Sequence, residues 1–367
     1  MARILNEKQI IDIIWGATLL GGGGGGSMQN GIDLLEQFKE YNPGTIEVNL
    51  ITREEMEPGK YAAVTAGMGA PTVLKTLNFY PYVINAYNAL KEMAAKMDDK
   101  KDLCYSLAVE LGGFNTFVPM LVSLVENVPF VDADGAGRAV PALNTLLLHI
   151  NGLNTSPLAM ANGTGDKVAI ETIDPRDAEL AEEIGRHICM SFGMVGGLSG
   201  WMIDKDEIAK LPEGTVTKCE KIGADVREHA GRQDDLFEFL KDKGHECRTI
   251  VPGICKVVKT ENKQAKGFDY GEVTISAADG KEIKIFFQNE NLLATVDGEP
   301  YITIPEIIMV VNAADGVPLT NADIKEGQDV FVGVIKVDEK WDLNPDMYEV
   351  WGSFMDNIGY KGPRISY

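Results

Sequence analysis

Residues 105–141 read YSLAVELGGFNTFVPMLVSLVENVPFVDADGAGRAVP, and this stretch determines the fold class. An apolar run of strand type, 105–110, is followed by two glycines and then by an apolar helical segment, 114–125. A second short strand, 129–131, follows that helix and ends in an Asp-Ala-Asp-Gly turn. Strand, glycine turn, helix and strand in this order predict a mostly parallel sheet that is covered by helices.

The same α/β character extends toward the N-terminus. Asn6 is a typical helix N-cap, and isoleucines at helical spacing follow it. The predicted helix ends at six consecutive glycines, 21–26, because glycine carries a high entropy cost in a helix. Ser27 then caps a second helix. Two runs rich in strand-forming residues, 46–51 and 61–65, precede the central stretch.

Toward the C-terminus the pattern changes once. A strand at 168–173 and a helix at 175–189 continue the α/β pattern, whereas after about residue 250 short strands alternate with turn dipeptides. These dipeptides are Asp279-Gly280, Asp297-Gly298 and Asp315-Gly316. We therefore predict an α/β domain over residues 1–166 and an α+β domain over 167–367 that ends in a β-rich module.

Composition restricts the class of protein and its partners. Of 367 residues, 45% are hydrophobic and 24% are charged, which is typical of a globular protein with a full core. The net charge is −21, from 34 Lys and Arg against 55 Asp and Glu, and no basic cluster interrupts it. Such a field repels nucleic acid and anionic membranes, so neither is an expected partner. We expect a small-molecule substrate and, on general grounds for a cytoplasmic enzyme, a homo-oligomer.

The sequence also predicts a location. No run approaches the roughly 20 apolar residues of a membrane span. The N-terminus lacks the order of basic, apolar and small residues that marks a signal peptide. The five cysteines are scattered and form no CxxC pair, which is typical of a reducing compartment. The predicted location is the cytoplasm.

Carboxylates follow the strands of the central stretch. Asp132 and Asp134 lie two residues apart, so in an extended segment their side chains share a face, and mutual repulsion would create an acid and a base. They are the predicted catalytic pair, with Glu110 as a second base and Arg138 as a stabiliser of negative charge. The structural alternative is that Asp134 caps a turn while Arg138 pairs with Asp132.

Glycines and amides are the predicted binding groups. The glycines 21–26, before a Ser-capped helix, could surround an anion with backbone N–H groups, or could form only a flexible turn between helices. They match neither a P-loop nor GxGxxG and no lysine follows, so we expect no nucleotide cofactor. The polar run 288–291 reaches an interdomain cleft or closes a hairpin. The predicted substrate-binding residues are Gly23, Gly24, Gly25, Gly69, Gly112, Gly113, Asn115, Gln288 and Asn289.

The sequence is compatible with a bound divalent metal ion but does not identify its ligands. Glu110, Asp132 and Asp134 could hold a hard divalent ion through oxygen. His245, Cys247 and Cys255 fit no standard zinc spacing. We therefore assign no metal ligands and keep a divalent ion as one alternative.

Several motifs together resemble one known family. They are Gly21 to Gly26, Gly67-Met-Gly-Ala-Pro71, Glu110-Leu-Gly-Gly-Phe-Asn115, Asp132-Ala-Asp-Gly-Ala-Gly-Arg138-Ala-Val-Pro141, Lys256-Val-Val, Gly267-Phe-Asp-Tyr-Gly271, Phe287-Gln-Asn-Glu-Asn291 and Gly362-Pro-Arg364. In this order they resemble the S-methyl thiohydantoin desulfurase-like family over almost the whole chain. The resemblance implies a two-domain protein associated with hydantoinase- and oxoprolinase-type enzymes.

The resemblance also implies an activity. One reaction of the family hydrolyses an S-methylated thiohydantoin to a hydantoin and releases methanethiol. This chain departs from the family pattern in its uninterrupted glycine run and in Ala142-Leu-Asn144-Thr, where relatives commonly carry a carboxylate and a glutamine. The expectation is a hydrolase of a hydantoin-like or thiohydantoin-like ring that uses carboxylate acid–base catalysis. The alternative is a non-catalytic ligand-binding or accessory subunit of a hydantoinase- or oxoprolinase-type enzyme.

Overall fold

The computed structural model of the protein describes residues 2–69, 71–74, 77–265, 268–343 and 347–367. Ala70 and Gly267, which belong to two of the sequence motifs, lie outside these ranges.

Two of the helices begin where the sequence places their caps. Over the described ranges the α-helices are α1 (Glu7–Leu20), α2 (Met28–Tyr41), α3 (Pro71–Leu74), α4 (Tyr80–Ala94), α5 (Phe117–Glu126), α6 (Leu147–Ile150), α7 (Ala178–Ser191), α8 (Lys205–Ile208), α9 (Thr215–His229), α10 (Leu236–Asp242) and α11 (Met347–Asn357). Asn6 caps α1 and Ser27 caps α2 through their side chains, as predicted. None of the helices in the described part of the chain is long and apolar enough to cross a membrane.

Two sheets organise the strands. The strands are β1 (Arg3–Asn6), β2 (Glu47–Ile51), β3 (Lys60–Gly69), β4 (Asp102–Ala108), β5 (Phe130–Asp134), β6 (Leu158–Ala161), β7 (Lys167–Ile170), β8 (Val195–Ile203), β9 (Cys247–Thr249), β10 (Cys255–Ala265), β11 (Phe268–Ser276), β12 (Glu282–Gln288), β13 (Glu290–Val296), β14 (Glu299–Thr303), β15 (Ile307–Asn312), β16 (Pro318–Leu319) and β17 (Asp329–Ile335). Among the described strands, the first sheet has the order β1-β2-β5-β4-β3-β8-β6-β7. Its four strands β2, β5, β4 and β3 run parallel to one another. The other pairings in this sheet are antiparallel: β1 with β2, β8 with β3, β6 with β8 and β7 with β6.

The first sheet is buried on both faces. Along β3, Ala63 belongs to one apolar cluster with α1, α2, α4 and α5, whereas Ala62 and Val64 belong to a second cluster on the other side. Successive side chains of β3 point to opposite faces of the sheet, because a strand repeats every two residues. Helix α7 contributes Ala181 to that second cluster. A parallel core with apolar residues on both faces is what the sequence predicted.

The second sheet forms the β-rich module. Its order in the described chain is β14-β13-β12-β11-β10-β17-β15-β16, with β9 added on β17, and its strands pair antiparallel. The predicted fold class is therefore confirmed: an α/β part with parallel strands is followed by a β-rich antiparallel module. The predicted division between residues 166 and 167 falls at the turn before β7, and the first sheet continues through β7 and β8.

The parallel strands bring three loops to one edge. β3, β4 and β5 end at Gly69, Ala108 and Asp134, and parallel strands end on the same side of a sheet. The β-rich module covers this edge, because the backbone N–H of Asn291 donates to the carbonyl of Gly22 over 2.8 Å. The fold thus places glycine-rich loops between the two sheets.

Candidate functional site

A cavity of about 1180 Å³ opens at this edge, between the ends of β3 and β4, helix α7 and the β-rich module. Its volume is at the upper end of the range for small-molecule sites. Eight predicted site residues line it: Gly23, Gly24, Gly25, Gly69, Glu110, Asn115, Gln288 and Asn289. Five predicted site residues lie outside its lining: Gly112, Gly113, Asp132, Asp134 and Arg138.

The glycine loop, residues 21–26, forms one wall of the cavity. The carbonyl of Gly25 accepts hydrogen bonds from the backbone N–H groups of Phe114 (3.3 Å) and Asn115 (3.1 Å), which ties the loop to the turn after β4. In the described structure the N–H groups of Gly25 and Gly26 make no hydrogen bond, and both residues line the cavity beside the N-terminus of α2. This arrangement suits a partial negative charge on a ligand.

We expect Gly25→Ala to lower the free energy of unfolding by about 3 kcal/mol. Gly25 has a φ of +69°, and an added Cβ would lie 2.6 Å from Leu111 O and 2.7 Å from Gly112 Cα, so backbone strain and overlap add. Calorimetric unfolding measures the loss. Gly59→Ala is the matched control, because Gly59 has a φ of +76° and nothing lies within 4 Å of its added Cβ. Equal losses in the two variants would contradict close packing of the loop.

Glu110 is held at the floor of the cavity by two hydrogen bonds. The Val140 N–H donates to Oε2 over 2.9 Å, and Asn115 Nδ2 donates to Oε1 over 2.8 Å. Asn115 is itself fixed, since its Oδ1 accepts the N–H of Gly67 over 3.1 Å. Only 8% of Glu110 is exposed. Glu110 and Asn115 therefore form one oriented unit that faces the cavity.

Glu290 is a second carboxyl group of the cavity, and it was absent from the predicted catalytic residues. It is 3% exposed, and its Oε2 has no hydrogen-bond partner in the part of the chain that the structure describes. Its carboxylate packs on Gly24, where any Cβ would overlap it. The signal in the sequence was an acid inside the polar run 288–291 directly after an apolar strand.

Burial raises the pKa values of both carboxyl groups, Glu110 and Glu290. Desolvation raises the pKa of Glu110 to about 7, although the hydrogen bonds from Val140 and Asn115 act to lower it. Desolvation raises the pKa of Glu290 well above its ordinary value, and the nearby Glu110 raises it further. Both shifts favour the protonated carboxyl group, and the charge of Glu110 favours it further on Glu290, so Glu110 is the member of the pair that ionises first. A protonated acid and a titrating base in one cavity can move protons in both directions.

Arg138 does not face the cavity, which corrects its predicted role. Its guanidinium is fully buried and donates to four backbone carbonyls, those of Ala139 (2.8 Å), Pro305 (2.7 Å), Glu306 (3.1 Å) and Asn291 (3.3 Å). Three of these carbonyls belong to the β-rich module. Burial lowers the pKa of Arg138 to about 10, so it stays charged at neutral pH. Arg138 joins the two sheets behind the glycine loop.

The other predicted glycines also have structural tasks. The N–H of Gly112 donates to Thr116 Oγ1 over 3.0 Å, and the N–H of Gly113 donates to Gly26 O over 3.1 Å. These N–H groups are therefore already used and do not point to a ligand as predicted. Both glycines instead allow the turn after β4 to pack against the glycine loop.

Gln288 and Asn289 line the cavity, and both are bound to the protein. Gln288 Oε1 accepts a hydrogen bond from Asn357 Nδ2 over 3.1 Å, which ties the strand end to α11. Asn289 has a φ of 57° and its Oδ1 accepts the Asp269 N–H over 2.9 Å. Its Nδ2 reaches Pro141 O over 3.4 Å. Asn289 therefore fixes the bend that leads into Glu290.

The predicted pair of aspartates lies on the far side of β5. Asp132 accepts hydrogen bonds from Thr217, 3.0 Å from the N–H and 2.5 Å from Oγ1, at the start of α9. Asp134 Oδ1 accepts the N–H groups of Ala136 (2.8 Å) and Gly137 (2.6 Å), so it caps a turn. The two side chains share a face as predicted, but that face is packed on α9 and not on the cavity. Arg138 pairs with neither.

We expect Asp134→Asn to raise the melting temperature at pH 8 and to leave it nearly unchanged at pH 4. Complete burial raises the pKa of Asp134 to about 7 from 3.8. As the pH rises from about 4 to about 7, the unfolded chain loses this proton before the folded chain does, so the folded state loses stability; above pH 7 the cost stays constant. Asparagine keeps the acceptor for Ala136 and Gly137 and carries no charge. Calorimetry at the two pH values measures the difference, and an equal shift at both would contradict it.

The described residues do not bring a metal site together. No group of three or more His, Cys, Asp or Glu side chains converges within the described ranges. The predicted oxygen ligands diverge, because Glu110 faces the cavity whereas Asp132 and Asp134 face α9.

Comparisons with known proteins agree with the motifs of the sequence. The family model described as S-Me-THD-like, N-terminal domain, matches residues 8–172, and the one described as S-Me-THD-like, C-terminal domain, matches residues 176–361. Among solved structures, the chain is similar to a crystal structure of a protein from Chromobacterium violaceum, with 22% identity over 99% of each chain and a TM-score of 0.85. That likeness shows a shared fold. No curated protein matches the chain.

Proposed function

This chain belongs to the S-Me-THD-like family, and from this premise we propose that it is a hydrolase of a hydantoin-like or thiohydantoin-like ring. The observation that carries the proposal is the pair of buried carboxyl groups, Glu110 and Glu290, in one cavity with different protonation. Hydrolysis of a cyclic amide-like carbon needs a base for water and an acid for the leaving group. In this proposal Glu110 is the base and Glu290 is the acid.

The proposed reaction hydrolyses an S-methyl thiohydantoin. A water oxygen forms a bond to the ring carbon that carries the methylthio group, one water proton passes to the base, and the π electrons of the ring C=N bond move to the ring nitrogen, which takes that proton from the base. The base then takes the hydroxyl proton of the tetrahedral intermediate as a carbonyl reforms and the carbon–sulfur bond breaks. Sulfur leaves with the electron pair of that bond and takes a proton from the acid. One water is consumed, a hydantoin and methanethiol are formed, and no oxidant or reductant is required.

Each group of the site has a role in this scheme. Glu110 in its ionised form takes the proton of water, and Asn115 keeps its carboxylate in place. Glu290 in its protonated form supplies the proton to the leaving sulfur. The N–H groups of Gly25 and Gly26 stabilise negative charge that develops on the ring, because donors that are already ordered need no rearrangement in the transition state. Asp132 and Asp134 have no role.

A direct assay tests the proposal. Purified protein is mixed with an S-methyl thiohydantoin, and formation of the hydantoin and of methanethiol is followed by mass spectrometry. Turnover in equal amounts of both products supports a hydrolase. Binding of the same compound in calorimetry without turnover, together with a stable complex with an oxoprolinase-type subunit in co-purification, would instead support an accessory subunit. Sedimentation of the purified protein tests the predicted homo-oligomer.

We expect a bell-shaped dependence of kcat/KM on pH. Activity rises as Glu110 loses its proton, with a midpoint set by its pKa of about 7, because the base must be ionised. Activity falls at higher pH, where Glu290 loses the proton that it must donate. The two apparent values belong to the pair and not to either residue alone. Circular dichroism over the same range controls for unfolding, and a flat profile between pH 5 and 9 would contradict the assignment.

A further inference from the structure

The cavity is much larger than the ring that we propose it binds. Its volume of about 1180 Å³ exceeds what a five-membered ring fills, so most of the space lies beyond the reacting groups. The reacting groups are at the bottom, since Glu110 and Glu290 are 8% and 3% exposed. Met190 and Met194 also line the cavity but are 64% and 50% exposed, which places them at its mouth. The remaining space therefore runs from the carboxyl groups toward a mouth where Met190 and Met194 lie beside the exposed Glu179 and Glu183.

Three methionines, Met68, Met190 and Met194, form what we call the methionine rim. They come from β3, from α7 and from the turn before β8. Phe268 and Phe354 also line the cavity, with their ring centroids 6.4 Å apart. Methionine side chains are flexible and polarisable and adapt to apolar partners of different shape. The rim and the two phenylalanines make an apolar enclosure above a polar floor.

The backbone of the rim is strained. Met194 has a φ of 80°, in the left-handed region that a non-glycine residue seldom adopts. Gly69, with a φ of 121°, packs directly against the carbonyl of Met194, where any Cβ would overlap it. Gly69 therefore has a supporting role for the rim. The turn that ends α7 therefore holds a half-exposed apolar side chain in place at the mouth of the cavity, where a ligand can contact it.

We infer that the substrate carries an apolar substituent on its ring, which the methionine rim and the two phenylalanines receive while Glu110 and Glu290 act on the ring. This inference rests on the proposed hydrolase function. Charge at the mouth supports an uncharged group over an anionic one, because Glu179, Glu183 and Asp269 line the cavity. The cation that lines the cavity beside them, Arg186, is paired with Glu182 over 2.5 Å, and its guanidinium lies 4.3 Å from the centroid of the Phe268 ring.

A substrate series tests the inference. S-methyl thiohydantoins are compared that carry hydrogen, isobutyl, benzyl or carboxymethyl on the ring carbon beside the carbonyl. We expect kcat/KM for the isobutyl and benzyl compounds to exceed that of the unsubstituted compound by at least about tenfold, and the carboxymethyl compound to be the poorest. Equal rates for all four compounds, or a preference for the carboxymethyl compound, would overturn the inference. Absence of turnover with every compound counts against the hydrolase proposal, and calorimetric binding of the four corresponding hydantoins then still tests the preference.

Variants locate the preference at the rim. We expect Met190→Ser combined with Met194→Gly to lower kcat/KM for the benzyl compound about tenfold and to leave the unsubstituted compound unchanged. Glycine adopts the φ of position 194 without strain, so the fold is retained. Val258→Ser is the matched control, because Val258 is 48% exposed and lies outside the lining. An unchanged preference would overturn the inference, and so would a changed oligomeric state with the preference kept, which would assign the rim to a protein contact.

Discussion

Glu290→Gln is expected to lower kcat by 10²–10⁴-fold, the range for losing one general acid. Glutamine has nearly the same volume and, like protonated Glu290, carries no charge, so the packing against Gly24 is retained. It cannot give up a proton to the leaving sulfur. Steady-state formation of the hydantoin measures the loss, and calorimetric binding of the hydantoin product checks that the cavity is intact.

Asp132→Asn provides the matched control for that variant. Asp132 was the predicted catalytic carboxylate, but it is bound to Thr217 on the side of β5 that faces α9. We expect its replacement to change kcat by no more than about twofold, as for a substitution away from the reacting groups. The opposite ranking, with full turnover in Glu290→Gln and loss in Asp132→Asn, would return the chemistry to the aspartates and refute the role of Glu290.

The sequence predicted the edge of the sheet and one of the two buried carboxyl groups of the cavity, Glu110, but not Glu290. Strand and helix periods predicted β3, β4 and α5, and the glycine loop and the turn after β4 meet as expected. Local patterns carry this information, because strands, caps and turns are determined by neighbouring residues. Glu110 was predicted for the same reason, since it follows a buried strand directly.

The direction of side chains around that edge depends on contacts that are distant in sequence. Asp132 and Asp134 do share a face, but only the docking of α9 decides that this face is turned away from the cavity. Glu290 is directed by the bend at Asn289, where a left-handed φ of 57° interrupts the alternation between β12 and β13. A period of two cannot predict the residue after such a bend. Helix α7, which contributes Met190 to the methionine rim, was predicted as a helix without any link to the site.

Arg138→Met is expected to have the largest effect on stability, a loss of about 4 kcal/mol or more. The four carbonyl groups that Arg138 binds would stay buried without a donor, and the buried acids Glu290, Glu306 and Glu110 would lose the nearby positive charge. Calorimetry should show a melting temperature lower by roughly 5 °C. Arg138→Lys should recover only part of this loss, because an ammonium group is compact and lacks the planar fork that reaches separated acceptors.

The same variant tests how the two sheets are joined. Arg138 lies in the loop after β5, whereas three of its acceptors, the carbonyls of Asn291, Pro305 and Glu306, belong to the β-rich module. Its loss should therefore separate one unfolding transition into two, because the contact that couples the parts is removed. Arg232→Met is the control, since Arg232 is exposed, pairs with the exposed Asp234 and lies over the ring of Phe239, and surface contacts of these kinds contribute about 1 kcal/mol or less each. A single transition within about 1 °C of the unsubstituted protein, which corresponds to less than 1 kcal/mol for 367 residues, would show that Arg138 is not the residue that joins them.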